Sequence, residues 1–233
     1  SVLIQERPDL VVTTCHVRME RAAVIASNQL GIVNVRIEDL FGYSLLGEYS
    51  VHRPPQLLPR EEWPDEVVVL NDEVKRRIVE AGFPSCRVHA LGQPVFSHWC
   101  EKYKSAQPSA PLAASREQGY AVITYATPAR RDVLYRHVDE LREIALKHPD
   151  WCICIKLHPS VSMGEFTKRV ESIPKNVLII NQEDILNVVR GSDVVLIFQS
   201  TIGLLCVFAG VPLVVVNDTG QEDVMPYVIS GAA

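Results

Sequence analysis

Short polar groups follow several apolar, strand-like runs in the second half of this 233-residue sequence. Such positions are informative because ligands of open parallel sheets bind outside the carboxyl ends of the strands. The runs come from separate parts of the chain, yet their ends are expected to meet at one edge of a sheet. The candidate ligand-binding residues at these ends are Thr124, Thr127, His158, Gln199, Ser200 and Thr201.

The segment Gln199 to Thr201 separates the apolar run 194–198 from a helix-like run that begins at Thr201. Free backbone N–H groups and the helix dipole favour an anion at the start of a helix. The hydroxyl groups of Ser200 and Thr201 add donors without bulk or charge that would block a phosphate. We therefore predict a phosphate site there, with a plain serine helix cap as the simpler alternative.

Two candidate proton-transfer residues, His16 and Glu38, follow strand-like runs in the first half of the chain. A carboxylate or an imidazole in such a position can act as a general base. An ordinary loop acid or helix cap remains the alternative for Glu38, and a structural or exposed histidine for His16. The remaining histidines have no comparable context and carry no functional prediction; they are His52, His89, His98, His137 and His148.

Strand-like and helix-like runs alternate along the chain, which indicates parallel sheets joined by right-handed crossovers. Nearly continuous apolar strands such as VVLIF and LVVV suit sheets that are covered on both faces. We predict an α/β fold of two Rossmann-like, doubly wound domains, residues 1–103 and 120–233. Residues 104–119, rich in Ala, Ser and Pro, are the predicted linker. The first domain has few strands, so we expect it to be incomplete.

The amino-acid composition bears on whether the protein binds nucleic acid, membranes or metal ions. A net charge of −5 gives no general attraction to nucleic acid. No apolar run reaches the roughly 18 residues of a membrane span, although contact with a membrane surface stays open. The six cysteines lack a second pair at metal-ligand spacing, so we expect buried thiols, no metal site and a reducing, cytoplasmic setting.

The stretch VVVLNDEVKRRIVEAGFPSCRVHALGQPVF resembles the end of the N-terminal domain in GT-B glycosyltransferases and UDP-N-acetylglucosamine 2-epimerases. KLHP, SDVVLIFQSTIGLLCVFAGVPLVVVN and GQEDVMPYVISGAA are similar to the nucleotide-sugar half of the same superfamily. The resemblance implies a GT-B fold in which Ser200 and Thr201 hold a donor diphosphate and His158 lines the donor pocket. It also implicates Gly92 and Gln93 at the interdomain hinge and Gln221 and Glu222 near the sugar.

GIVNVRIE aligns without a gap on the epimerases' GIPVxHVE, and this resemblance implies that Glu38 is catalytic. Two departures qualify the resemblance. Leu205 replaces the Glu that binds the nucleotide ribose in many such enzymes, so ribose recognition must come from elsewhere or the donor differs. YATPARRD replaces the epimerases' HRREN, which weakens the epimerase interpretation. Arg130 therefore matches a substrate-binding position only approximately.

The resemblance favours a glycosyltransferase that uses a nucleotide-diphosphate sugar and an acceptor that the residues do not specify. We expect no cofactor and no metal ion, because the sequence contains no Asp-x-Asp that would hold a cation. One alternative is a non-hydrolysing UDP-sugar 2-epimerase, which uses the same cleft but needs paired carboxylates. The other is a non-catalytic module that binds nucleotide sugars. The residues indicate no oligomeric state.

Overall fold

The computed structural model of the chain describes residues 2–14, 18–38, 45, 57–170, 172–218, 220, 227–228 and 230–233. The contacts within the chain divide it into two compact units, residues 1–95 and 96–233. Each unit is built around its own parallel β-sheet. The predicted α/β fold with two parallel sheets is confirmed.

The first unit alternates strands and helices around four parallel strands in the order β1-β2-β3-β4. Its elements are α1 (Val2–Glu6), β1 (Leu10–Thr13), α2 (Arg18–Leu30), β2 (Val33–Ile37), β3 (Glu66–Val69), α3 (Asp72–Glu80) and β4 (Val88–Ala90). Helix α2 is followed by Gly31, whose left-handed φ of +69° ends the helix. The side chain of Asn71 caps α3 by accepting a 3.0 Å hydrogen bond from the Val74 N–H.

The two faces of the first sheet differ in exposure. Because its strands follow chain order and parallel crossovers are right-handed, α2 and α3 lie on the same face. Val67 and Val69 of β3 are fully buried. On the opposite face, Leu10, Val12 and Val33 are 49%, 55% and 52% exposed. One face of the sheet is therefore buried, while the opposite face exposes apolar side chains.

The second unit holds five parallel strands in the order β7-β6-β5-β8-β9. Its elements are α4 (Pro94–Ser105, whose first two residues belong to the first unit), α5 (Ala110–Glu117), β5 (Ala121–Ala126), α6 (Arg131–Lys147), β6 (Trp151–Lys156), α7 (Met163–Arg169), β7 (Val177–Ile180), α8 (Ile185–Arg190), β8 (Val194–Ile197), α9 (Ile202–Ala209) and β9 (Leu213–Val215). The strand order reverses at β5, since β6 and β7 lie on one side of it and β8 and β9 on the other.

Side chains that alternate along β5 and β6 enter two cores on opposite faces of the second sheet. One core contains Tyr125 and Ile153 and packs against α6 and α7. The other contains Val122 and Cys154 and packs against α5 and α8. Helices therefore cover both faces, which explains why these strands are apolar almost throughout.

The structure differs from the prediction of a linker at 104–119. Ala110–Glu117 is a helix whose Leu112 is fully buried against the second sheet. The Ser109 hydroxyl also donates a 2.8 Å hydrogen bond to Glu183. Proline at the start of a helix is favourable, and a single buried leucine leaves little apolar period to detect. The two units instead divide between Val95 and Phe96.

The cysteines that the structure describes are free thiols, and those of β6 lie inside a core. Cys152 and Cys154 are buried, and burial raises the pKa of Cys154 to about 12. Among the described residues, no helix is both long enough and apolar enough to cross a membrane.

Candidate functional site at the carboxyl edge of the second sheet

The predicted ligand-binding residues of the second unit gather where β5 and β8 end. These neighbouring strands pair Ala126 with Ile197 at their carboxyl ends. The chain continues from β5 to β6 on one side of it, whereas β8 lies on the other side of β5. The carboxyl ends of β5 and β8 therefore form the topological switch point of the sheet. The residues that follow the strands here are Thr127 after β5, His158 after β6, and Gln199, Ser200 and Thr201 after β8.

A tight turn connects β8 to α9. Gln199 has a positive φ of 40°, which is uncommon for a residue with a side chain and stores strain of the kind found at functional sites. The Ile202 N–H donates a 3.3 Å hydrogen bond to the Ser200 hydroxyl, while Thr201 makes no side-chain cap bond. The turn leaves Gln199, Ser200 and Thr201 half-buried.

Tyr227 closes over the start of α9, a contact that the sequence did not reveal. Its hydroxyl donates to the Ser200 carbonyl at 3.0 Å and accepts from the Leu204 N–H at 3.1 Å. The ring lies so close to α9 that a Cβ at Gly203 would meet it at 2.6 Å. A glycine is therefore required at 203 for this contact, and the contact orders the turn where the anion is predicted.

Thr127 and His158 are joined at the same edge, since the His158 N–H donates to the Thr127 hydroxyl at 2.8 Å. The Ser160 N–H donates to His158 Nδ1 at 3.1 Å, so the neutral ring carries its proton on Nε2. Burial, followed by the nearby charges of Arg131 and Lys156, lowers the pKa of His158. The ring is therefore neutral at pH 7, and its Nε2–H bonds to none of the described residues.

Arg130 lies beside this edge but is exposed. It pairs at 2.6 Å with Asp132, two residues away. Arg131 is tied down instead: it donates to Glu165 at 2.5 Å and to the Ser160 carbonyl at 2.6 Å. Arg131 therefore supports the loop that carries His158. The role of Arg130 in substrate binding remains a prediction.

Thr124 is a correction to the predicted site. It is fully buried, and its hydroxyl lies 2.6 Å from that of Ser192. The Ser192 hydroxyl in turn donates to the Val188 carbonyl at 2.7 Å. Because β5 continues to Ala126, Thr124 lies two residues before the strand end, on the face covered by α5 and α8. Its hydroxyl is thus committed to a structural bond.

His137, which carried no functional prediction, is the centre of a buried polar network below the same edge. It is 2% exposed, with Nδ1 2.6 Å from the Tyr125 hydroxyl and Nε2 2.9 Å from the Asp218 carboxylate. Arg136 holds the same carboxylate through two hydrogen bonds of 2.5 and 2.9 Å. The helical pattern of α6 marks His137 as an inward residue, but only the fold brings Asp218 to it.

The first unit places Glu38 and Gln93 together at the carboxyl edge of its own sheet. Glu38 is fully buried, and its N–H donates to the Val68 carbonyl at 2.8 Å. The Gln93 side-chain amide donates to the Glu38 carbonyl. Gly92 has a φ of +87°, and its N–H donates to the Val69 carbonyl at 3.1 Å. Hydrogen bonds therefore hold both the backbone N–H and the carbonyl of Glu38 at the strand end.

Three predicted site residues lie outside the described residues: His16, Gln221 and Glu222. Their roles remain predictions. Within the described part of the chain, no group of three or more His, Cys, Asp or Glu side chains is arranged to hold a metal ion. An open cavity of about 980 Å³ lies between α6 and α7, lined by Arg131, Tyr135 and Glu165 among others.

No protein-family model and no curated protein matches the chain. Solved structures do. The UDP-GlcNAc 2-epimerase of Neisseria meningitidis bound to UDP-GlcNAc is similar at 21% identity and a TM-score of 0.67, over 98% of this chain and 64% of that one. The UDP-GlcNAc 2-epimerase of Methanocaldococcus jannaschii in complex with UDP-GlcNAc and UDP is similar at 16% identity and a TM-score of 0.70, over 98% of this chain and 65% of that one. The glycotransferase of kitacinnamycin is similar at 15% identity and a TM-score of 0.59, over 98% of this chain and 62% of that one.

These similarities show that the chain has the GT-B fold, as the sequence resemblance implied. The chain spans 64% and 65% of the two epimerase chains just described. Sequence identities of 15–21% establish a shared fold and do not by themselves establish a shared activity.

Proposed function

We propose that the chain belongs to an enzyme that acts on a UDP-sugar, and that its reaction is the 2-epimerisation of a UDP-N-acetylhexosamine. The observation that carries the proposal is the gathering of Thr127, His158 and Ser200 at the switch point of a GT-B sheet. Structures with the same fold include epimerases bound to UDP-GlcNAc. These similarities support the epimerase more than the glycosyltransferase that the sequence favoured.

The diphosphate would bind at the start of α9. Its charge would be met by the helix dipole and by the hydroxyls of Ser200 and Thr201, in the way common to phosphate sites at helix starts. His158 would add a neutral donor through Nε2–H, because Nδ1 is already occupied by the Ser160 N–H. This set of donors offsets phosphate charge without a metal ion.

The chemistry needs a proton-transfer group as well. A base removes the C2 proton while the C–H electron pair forms a C1=C2 double bond and the UDP diphosphate leaves C1. Return of the diphosphate to C1 and of a proton to the opposite face of C2 restores the saturated sugar, so a base and an acid are both required. Glu38 supplies one carboxylate on a fixed strand end, where Gln93 holds its backbone. His16 remains the second candidate for proton transfer.

Glycosyl transfer is the second candidate function. The segment YATPARRD favours it, because this segment departs from the HRREN of the epimerases that it resembles. The similarity to the kitacinnamycin glycotransferase is compatible with it. In that reaction Glu38 or His16 would take the acceptor proton while the diphosphate leaves.

A two-stage experiment tests the proposal. UDP, CDP, GDP, TDP and CMP are first compared by thermal shift, and UDP is expected to raise the melting temperature most, because a ligand of the native state stabilises it. UDP-GlcNAc is then incubated alone and the sugar followed by proton NMR. Isomerisation without an acceptor supports the epimerase. UDP binding without isomerisation contradicts epimerisation and is the result expected of a transferase or of a binding module, whereas no binding of any nucleotide overturns the proposal altogether.

A further inference from the structure

We propose that His137 is a positioning residue that holds together three segments of the nucleotide-sugar site, an inference that builds on the proposed function. Its contacts reach one residue in each segment. Tyr125 is the last residue but one of strand β5, two positions before Thr127. Phe198 packs edge-on against the imidazole at 6.0 Å between ring centres and directly precedes Gln199. Asp218 lies three positions after Val215, the last residue of β9.

The two contacts suit one tautomer of His137. In this tautomer the Tyr125 hydroxyl donates to Nδ1, while Nε2 carries the ring proton and donates it to Asp218. Both ring nitrogens are then satisfied in a neutral side chain. A second ring proton would compete with the Tyr125 hydroxyl for Nδ1, so this arrangement favours one tautomer and one ring orientation.

The charges around the ring agree with this assignment. Hydrogen bonds from Arg136 and His137 lower the pKa of Asp218 to about 2, so the carboxylate is ionised and accepts. Burial, followed by the charge of Asp218, raises the pKa of Tyr125, so the phenol keeps its proton. The network therefore consists of the ion pair between Arg136 and Asp218 and of two hydrogen bonds in series, from Tyr125 to His137 and from His137 to Asp218.

The segment after β9 is held at two points. The Val216 N–H donates to the Ile197 carbonyl at 2.8 Å, which extends the sheet by one residue beyond Val215. Two residues later, Asp218 accepts bonds from Arg136 and His137 of α6. These bonds fix the backbone between Val216 and Asp218 against both β8 and α6.

Four variants separate positioning from general stability. Tyr125→Phe removes the hydroxyl, and Asp218→Asn removes the carboxylate charge. His137→Asn can still meet Tyr125 from the Nδ1 position but does not reach Asp218, whereas His137→Gln retains a donor near the Nε2 position. Two controls lie outside the network: Tyr135→Phe, and Asp139→Asn on the same helix, where Asp139 is 70% exposed.

Amide hydrogen exchange of residues 216–220 and the imidazole nitrogen chemical shifts are measured in each folded variant, together with the affinity for UDP-GlcNAc. We expect neutral His137 with the proton on Nε2 in the natural chain. Exchange in 216–220 should rise about tenfold or more in Asp218→Asn and His137→Asn, because a bond to a charged group is lost. UDP-sugar affinity should fall in parallel, and His137→Gln should restore part of both.

Unchanged exchange in a stably folded Asp218→Asn variant would overturn the proposal, as would a ring protonated on Nδ1. Rapid exchange spread evenly over both units would indicate a loss of stability instead and would also overturn it. If the natural chain binds no nucleotide, the proposed function fails, while exchange and nitrogen shifts still test the positioning role by themselves.

Discussion

Glu38 presents the sharpest question at the scale of single residues, because it is a fully buried acid at the end of a strand. Glu38→Gln keeps the shape of the side chain and removes the oxygen that takes a proton. We expect UDP affinity to persist while turnover of UDP-GlcNAc falls about 100-fold or more. Steady-state kinetics together with isothermal titration of UDP measures the two effects separately.

Glu62→Gln is the matched control, since Glu62 is 3% exposed and pairs with Arg21 in the same unit. Loss of that pair should lower the free energy of unfolding by about 1–3 kcal/mol without changing turnover of the folded protein. Equal turnover in Glu38→Gln and the natural chain would exclude Glu38 as the proton-transfer group.

Gly203 tests how closely Tyr227 must approach α9. A Cβ at Gly203 would meet the tyrosine ring at 2.6 Å and Ile197 at 2.9 Å. Gly203→Ala should therefore displace Tyr227 and cost about 1–3 kcal/mol by overpacking. Urea unfolding measures this cost. Gly164→Ala is the control, because nothing lies within 4 Å of a Cβ there and alanine favours the helix. Equal stability of the two variants would show that Tyr227 yields without strain.

At the scale of elements, the start of α9 is predicted to bind the diphosphate. Ser200→Asp puts a negative charge beside that anion, and aspartate is well tolerated at helix starts, so the fold should persist. We expect UDP affinity to fall about tenfold or more, because like charges at close range repel strongly. Fluorescence or calorimetric titration of UDP measures the change.

Ser200→Asn is the comparison for that variant, because it has the same shape as aspartate without the charge. It should retain most of the UDP affinity. If Ser200→Asp binds UDP as tightly as Ser200→Asn in folded protein, the diphosphate lies elsewhere.

At the scale of the whole molecule, the boundary between the two units can be tested by truncation. Residues 96–233 include α5, whose Leu112 is fully buried, whereas residues 120–233 lack it. We expect the longer piece to unfold cooperatively. The shorter piece should melt at a lower temperature and bind a hydrophobic dye, because the core around Val122, Cys154 and Val188 loses its cover.

Leu112→Ala in the longer piece should cost about 2–5 kcal/mol, as expected for a large buried side chain. Leu146→Ala is the control, since Leu146 is 72% exposed and should change stability by no more than about 0.5 kcal/mol. Equal melting temperatures of the two pieces would place the boundary near residue 120, as the composition of the linker region predicted.

The sequence by itself determined the features that depend on local pattern. Apolar runs such as VVLIF and LVVV indicated parallel strands, and the polar residues after such runs indicated the carboxyl edge, because burial of a parallel strand is recorded in its own residues. The helix ends at Asn71 and Gly31 are local in the same sense, since capping involves neighbours in the chain.

Only the tertiary structure decided which polar residues meet. Thr124 and Tyr125 are adjacent in sequence, yet the alternation of β5 sends one hydroxyl to Ser192 and the other to His137. The bond between His137 and Asp218 joins residues 81 positions apart. Such a pair leaves no local pattern, because hydrogen bonds between distant segments depend on strand order and helix packing. The position of the candidate site can therefore be predicted from the strand ends, whereas the hydrogen bonds between its residues can be known only from the tertiary structure.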